Sequence, residues 1–301
     1  MRRVVKPQEY DYLQMKKIID ALCCRSPVLQ PTVIGKSCAG RDITAIKINP
    51  QAEEYVLFCA AFHGSEHITS NVLLMFLEEF ALSYQDEISL AGINVRNALG
   101  KRGVIFVPRV NPDGCEISIR GALGCGKESG KIYKLCGGDF VHWNANLRGV
   151  DINHNFDAGW KNLHDLERSS GIFGPAPTRF GGNRAHSEPE TQAMVRLCKE
   201  NIIHHALALH SQGEVIYWSY NGYEDKTAKQ MAEIMAATSG YALDVPVGLA
   251  LGGGFKDWFL KEFLRPAFTI EIGKGKNPIP AKEAAKIYAE LRETLTIFTI
   301  M

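Results

Sequence analysis

The stretch Tyr55-Val-Leu-Phe-Cys-Ala-Ala-Phe-His-Gly-Ser-Glu-His67 decides how the rest of the chain is read. Residues 55–61 are an uninterrupted apolar run, the pattern of a strand buried on both faces. Helical spacing follows through Val72, Met75, Phe76, Glu79 and Phe80. A buried strand that ends in His63-x-x-Glu66 puts an imidazole and a carboxylate on one tight loop. With a third ligand from elsewhere, such a pair makes an open zinc site of the two-histidine, one-glutamate type, which keeps one position for water. Taken alone, His63 and Glu66 read equally as ordinary loop residues, so the flanking sequence has to supply the missing pieces.

Working outward, residues 10–24 carry Tyr10, Leu13, Ile18 and Leu22 at helical spacing. Strand-like runs at 32–35 and 43–48 flank the turn Ala39-Gly-Arg-Asp42, and another covers 104–108. Asn111-Pro-Asp-Gly114 reads as a turn. The glycine-rich segment 116–142 reads as a long surface excursion. Ser187-Glu-Pro-Glu190 reads as a capping box that opens a helix to about residue 201. Strands are expected at 206–210, 215–219 and 267–272, and helices at 225–238 and from Phe255. The last helix, from about 280, carries Ile287, Leu291, Leu295 and Phe298 on one stripe. Strands alternate with helices, with no repeat and no linker, which predicts one α/β domain over 1–301.

Composition narrows the function classes. The chain has 301 residues, 46% of them hydrophobic, and 34 basic against 33 acidic residues give a formal net charge of +1. No long like-charge block appears, so neither a nucleic-acid nor a membrane-surface partner is indicated. Met1-Arg-Arg-Val-Val-Lys-Pro7 is basic but lacks the apolar core of a secretion signal. No apolar run approaches the ~18 residues of a membrane span. The eight cysteines form no matched Cys-x-x-Cys pairs, which argues against a cysteine zinc site. With no export signal, they are expected to be free thiols in a reducing cytoplasm.

Two further residues bear on the loop at 63–66. Ala206-Leu-Ala-Leu-His210 ends a buried strand in histidine, which makes a natural third ligand or simply a surface histidine at a strand end. Glu271 lies inside the apolar run Phe268-Thr-Ile-Glu-Ile272. A buried carboxylate costs several kcal/mol unless paired or placed for function, and its raised pKa would suit a general base. Alternation on an edge strand, with Thr269 and Glu271 facing solvent, accounts for the same pattern.

Five motifs then stand in register: His63-x-x-Glu66, Asn111-Pro-Asp-Gly114, Gly149-Val-Asp-Ile-Asn-His-Asn-Phe156, Leu209-His-Ser211 and Thr269-Ile-Glu271. In this order they resemble the zinc carboxypeptidases of the carboxypeptidase A type, over about residues 10–298. His210-Ser-Gln-Gly-Glu, Ser187-Glu-Pro-Glu-Thr and Gly252-Gly-Gly-Phe-Lys-Asp-Trp-Phe259 resemble its bacterial branch, the γ-D-glutamyl-diaminopimelate peptidases. The resemblance implies one zinc ion held by His63, Glu66 and His210, with Glu271 as general base and later proton donor. It also implies a single α/β domain with a mixed, roughly eight-stranded twisted sheet flanked by helices.

The sequence departs from that pattern at the substrate end. The family clamps a terminal carboxylate with Asn-Arg, where this chain has Asn153-His154. Asn153 is kept as a substrate-binding residue. His154 lacks arginine's permanent forked donor but can still hydrogen-bond an amide or, when protonated, a carboxylate. Arg148 is the candidate for the family's oxyanion arginine, ahead of Arg120. Counting back from Glu271 puts Leu249 where the family has a capping tyrosine, and Lys256 where it has the residue that sets side-chain preference. A lysine there favours an acidic group on the leaving side.

The expected activity is hydrolysis of the γ-D-glutamyl-diaminopimelate bond in a small cell-wall-derived peptide. A general metallocarboxypeptidase, a non-catalytic muropeptide-binding protein and an acyl-amino-acid deacylase are the rival expectations.

Overall fold

The computed structural model describes residues 3–223 and 225–301. Eight strands form one sheet: β1 (Gln30–Lys36), β2 (Asp42–Ile48), β3 (Glu54–Ala60), β4 (Gly103–Val107), β5 (Ile202–His210), β6 (Val215–Tyr217), β7 (Ala242–Asp244) and β8 (Ala267–Glu271). Their order across the sheet is β1-β2-β4-β3-β5-β8-β6-β7. The central four, β4, β3, β5 and β8, are mutually parallel, while β2 and β6 pair antiparallel at the flanks. This is the single-domain, mixed eight-stranded α/β fold that the resemblance implied.

The uninterrupted apolar runs follow from burial on both faces. Val56, Phe58 and Ala60 of β3 belong to one core, and Tyr55, Leu57 and Cys59 to the other. The first core receives the helices Ile68–Asp86, Lys226–Ser239 and Ala284–Phe298, and the second receives Pro189–Glu200 and Phe255–Phe263. Phe58 meets Phe76, Phe106 and Phe298 at ring-centroid distances of 5.3–5.4 Å, so one side chain ties two helices to two strands. Truncating a phenylalanine so placed costs about 3–5 kcal/mol. Among the described residues no helix is long and apolar enough to cross a membrane. All eight cysteines are unpaired.

Three local expectations change. Asn111-Pro-Asp-Gly114 opens the helix Pro112–Arg120 rather than making a turn: Asn111 caps it by accepting from Gly114 N–H (2.8 Å), with proline at the first position. The 116–142 stretch is largely ordered as short helical pieces, including Ser129–Cys136, around a small core of its own that contains Ile117, Cys125, Ile132 and Trp143. The helix Pro189–Glu200 begins without a capping box, because Ser187 Oγ donates to Glu188 Oε1 (2.8 Å) instead of to the helix.

The chain passes from β3 to β4 on one side, then back across to β5 on the other. The sheet therefore switches direction between β3 and β5. In open α/β sheets such a switch leaves a crevice at the carboxyl ends of the strands, where ligands bind.

Candidate active site

At that crevice three parallel strands end side by side. β3 runs on through Ala61 and Phe62 into His63, β5 ends in His210, and β8 ends in Glu271, which lies opposite His210 in register. The loop after β3 is held by Thr69, whose hydroxyl accepts from Ala61 N–H (2.9 Å) and donates to Glu66 carbonyl O (2.7 Å). A Cβ at Gly64 would lie 2.3 Å from Gly114 O and 2.4 Å from Trp143 O, so only glycine fits there. The short turn Gly64–Glu66 then brings the Glu66 side chain back beside His63.

His63 Nδ1 lies 2.8 Å from Glu66 Oε1, and His210 Nδ1 lies 3.1 Å from Glu66 Oε2. One ligand atom from each of the three residues lies within 4.8 Å of the other two. On the far side of the first ring, His63 Nε2–H donates to Asp151 Oδ1 (3.1 Å). A carboxylate behind a histidine fixes its tautomer and turns the other nitrogen toward a metal. Asp151 is itself anchored by Asn153 N–H (3.1 Å), Thr178 Oγ1 (3.2 Å) and Arg179 N–H (2.8 Å).

The electrostatics favour a cation at this point. Burial opposes charge on His63, but the Glu66 and Asp151 carboxylates outweigh it and hold its pKa well above the ordinary value. Burial also works against ionised Glu66, yet His63 and the His210 hydrogen bond bring it down to about 2. His210 Nε2 is buried without a partner among the described residues. Two imidazole nitrogens converging on one ionised carboxylate, with a second carboxylate behind, suit a divalent metal with nitrogen and oxygen ligands such as zinc. Glu271 sits half-buried beside them, its pKa pushed well up by burial and then by the Glu66 charge.

A cleft of about 260 Å³ opens over these groups. His63, His210, Glu271, Asn153, His154 and Lys256 all line it, so six of the eight residues singled out from sequence face one space, and Glu66 is bonded to two of them, His63 and His210. Asn153 Oδ1 accepts from Phe255 N–H (3.0 Å). His154 Nδ1 is held by Glu167 Oε1 (2.8 Å), a fully buried carboxylate that also accepts from Gly181 N–H (3.1 Å) and His164 Nδ1 (3.1 Å). Leu249 lines the cleft at the position counted for a capping tyrosine, and a phenol comes instead from Tyr217 on β6.

Arg148 is not in this cleft. Asn146 Oδ1 accepts from the N–H groups of both Arg148 and Val150 (2.9 and 3.1 Å), and Gly149 turns the chain at φ +78°. Arg148 is thereby turned to a separate cavity, largely exposed and 3.6 Å from Glu188. Arg120 also lies elsewhere, 3.5 Å from Glu116. The arginine in the cleft wall is Arg179, from the Pro175-Ala-Pro-Thr-Arg-Phe turn, where no apolar period marks a site.

Lys256 also differs from expectation. It lies on the cleft floor but is not a free cation: Nζ donates to Ser219 O (2.6 Å) and to Asp257 Oδ1. A lysine this buried needs such a partner.

A second group of ligand-type atoms lies elsewhere, formed by Cys38, Asp113 and Glu190. None of the three lines the cleft.

An ionised carboxylate between two imidazoles, with a desolvated carboxylate one strand away and an open cleft above, defines a metallopeptidase site. The model of the zinc carboxypeptidase family matches residues 15–295, and this chain belongs to that family of metallopeptidase hydrolases. It is 33% identical over 292 residues to the γ-D-glutamyl-L-diamino acid endopeptidase 1 of Lysinibacillus sphaericus, covering 96% of this chain and 72% of that protein. Human carboxypeptidase B is 24% identical over 268 residues, covering 81% of this chain and 58% of that protein. Among solved structures, thrombin-activatable fibrinolysis inhibitor superposes with a TM-score of 0.79 at 18% identity, over 99% of this chain and 76% of that one.

Proposed function

We propose that this peptidase hydrolyses the amide bond between γ-D-glutamate and diaminopimelate in small cell-wall-derived peptides, with one zinc ion held by His63, Glu66 and His210. The observation that carries the reading is the convergence of those three side chains within 4.8 Å at the ends of β3 and β5, with Glu271 at the end of the adjacent strand. Bound zinc would polarise the scissile carbonyl and lower the pKa of an attacking water.

The protein's own groups do the rest. Asp151 holds the His63 ring, so that Nδ1 keeps its direction. Glu271, desolvated and opposite His210 in register on the adjacent strand, takes the proton of the attacking water and returns it to the leaving nitrogen. The Arg179 guanidinium supplies the positive charge of the cleft wall where the carbonyl oxygen gains negative charge. Asn153 and His154 face the leaving residue.

The substrate class draws support from two facts. The similarity to a protein named as a γ-D-glutamyl-L-diamino acid endopeptidase runs over nearly the whole chain. The permanent cation of a terminal-carboxylate clamp is replaced by His154, which is tied to buried Glu167. We place the reaction in the cytoplasm, a reading that the eight unpaired cysteines support. A general metallocarboxypeptidase is the second reading, because Arg179 lines the same cleft and offers a forked donor for a free C-terminus.

Digestion of L-Ala-γ-D-Glu-meso-diaminopimelate beside an ordinary C-terminal dipeptide, followed by mass spectrometry with and without chelator, separates the two. Chelator-sensitive release of diaminopimelate alone is the expected result. Cleavage of the ordinary dipeptide alone would establish the second reading. Cleavage of neither would leave a peptide-binding protein or an acyl-amino-acid deacylase.

A further inference from the structure

We propose that Glu188 is a positioning residue of the cleft: its carboxylate joins Asn146 to Asn155 and so holds the segment between them, which presents Asp151, Asn153 and His154. The inference rests on the peptidase reading above and names what fixes its cleft wall from behind.

Asn146, Asn155 and Glu188 are all buried. Asn146 stands at the base of a closed turn: its Oδ1 accepts from the N–H groups of Arg148 and Val150, and its own N–H donates to Val150 O (2.8 Å). Its Nδ2 donates to Glu188 Oε2 (2.7 Å). At the other end, Asn155 Nδ2 donates to Ser187 Oγ (3.0 Å), and Ser187 Oγ donates on to Glu188 Oε1 (2.8 Å). Asn155 Oδ1 also accepts from Glu188 N–H (3.1 Å). One residue therefore grips both ends, with a different carboxylate oxygen serving each. This accounts for Ser187 turning away from the helix it precedes. Glu190 Oε2 also accepts from Asn146 Nδ2 (3.1 Å), but among the described residues it has no bond to Ser187 or Asn155 and does not bridge the two ends.

The segment 147–154 belongs to no strand of the sheet, and its one regular piece is the short helical turn Ile152–His154. Backbone bonds hold it sideways, from Ala176 N–H to Gly149 O (3.0 Å) and from Asp151 N–H to Phe180 O (2.8 Å). The Glu188 bridge fixes its ends. Within it, Asp151 holds the His63 ring, and Asn153 and His154 line the cleft. Glu188 itself faces the cavity behind, 3.6 Å from Arg148. A buried carboxylate is costly unless it is paired. An ionised one accepts at both oxygens, so it can join two donors that approach from opposite sides.

The test measures zinc affinity of the full chain by competition with a chromophoric chelator, and KM on whichever peptide the wild type cuts. Glu188→Ala is expected to lower zinc affinity about 10-fold and to raise KM about 10-fold, as loss of support behind a ligand does. Glu188→Gln keeps the shape and one acceptor, and the Ser187 hydroxyl can turn to accept, so it should stay within about threefold of wild type. In an Asp151→Asn background, Glu188→Ala should lower zinc affinity by no more than about twofold further, because both changes act through His63. A merely structural residue would lower the denaturation midpoint and leave affinity and KM of the folded protein unmoved. Should Glu188→Ala fail to fold, Ser187→Ala cuts only the arm to Asn155, beside Asn153 and His154, and is expected to raise KM about fivefold.

Wild-type zinc affinity and KM in Glu188→Ala, an undiminished fall in the Asp151→Asn background, or a wild-type KM in Ser187→Ala would each overturn the proposal and leave the peptidase reading intact. Absence of zinc binding by the wild type would instead overturn the metal reading, and this role with it.

Discussion

His63, Glu66 and His210 form one three-residue group, and Cys38, Asp113 and Glu190 form another; in each, the ligand-type atoms lie within 4.8 Å of one another. Their surroundings differ. In the first, two imidazole nitrogens converge on one carboxylate, and the group opens to the cleft. In the second, protein donors already occupy the carboxylates. Asp113 accepts from Ser37 Oγ (2.7 Å), Ala39 N–H (2.8 Å) and Arg41 (2.7 Å). Glu190 accepts from Cys38 N–H (3.1 Å) and Asn146 Nδ2 (3.1 Å). Burial, and then the charge of Asp113, push Glu190 up to about 7, and burial pushes the Cys38 thiol well up. The second group meets its buried charge with arginine, amide donors and a proton, and it ties the 37–41 turn to two helix starts. Ligand-type atoms in proximity do not by themselves make a metal site; two imidazoles on one ionised carboxylate at the cleft do, and the second group offers no imidazole and does not line it.

The largest effect that would sharpen this contrast is Glu271→Gln. It is expected to lower kcat/KM about 10³-fold while zinc content stays unchanged, as general-base loss does. Loss of zinc in that variant would move Glu271 into the metal set. Next, Arg179→Ala should lower kcat by about 10²-fold, whereas Arg148→Ala should leave it within about twofold. The reverse ranking would return the oxyanion role to Arg148. Asp151→Asn keeps the shape but weakens the hold on His63, so zinc affinity, measured by competition with a chromophoric chelator, should fall about 10–100-fold.

The smallest effect belongs to the second group. In Glu190→Gln, activity should be unchanged. Glu190 has a raised folded-state pKa, so the folded chain binds more protons than the unfolded chain between pH 4.5 and about 7. Its contribution is present below pH 4.5 and is lost as pH rises to about 7, by up to roughly 3 kcal/mol. Denaturant titrations of Glu190→Gln across that window should show a shallower loss of stability than the wild type. An equal slope would mean that Glu190 is not the group that titrates.

The strand-end residues were legible because a polar residue terminating an apolar run is conspicuous. His63, His210 and Glu271 are of that kind, and the parallel order of β3, β5 and β8 brings them to one edge. Partners joined only by the fold were not legible. Asp151 lies 88 residues from His63, and buried Glu167 lies 13 residues beyond His154. Neither spacing carries a periodic signal. Arg179 sits in a proline-flanked turn with no pattern, and Arg148 was misplaced because the Asn146 cap and Gly149 decide its direction. Lys256 was found, but its neutralisation by the next residue was not, since adjacent helix positions normally face apart. The helix Trp160–Ser169, which carries Glu167, went unread because few of its residues are apolar and only Leu163 and Glu167 are buried.

The most direct test of the central claim is metal content by mass spectrometry after exhaustive dialysis against zinc-free buffer, for wild type, His210→Ala and Glu190→Gln. The expected result is one zinc per chain in wild type and Glu190→Gln, and none in His210→Ala. Zinc retained by His210→Ala, or lost from Glu190→Gln, would contradict the assignment of the metal to the cleft.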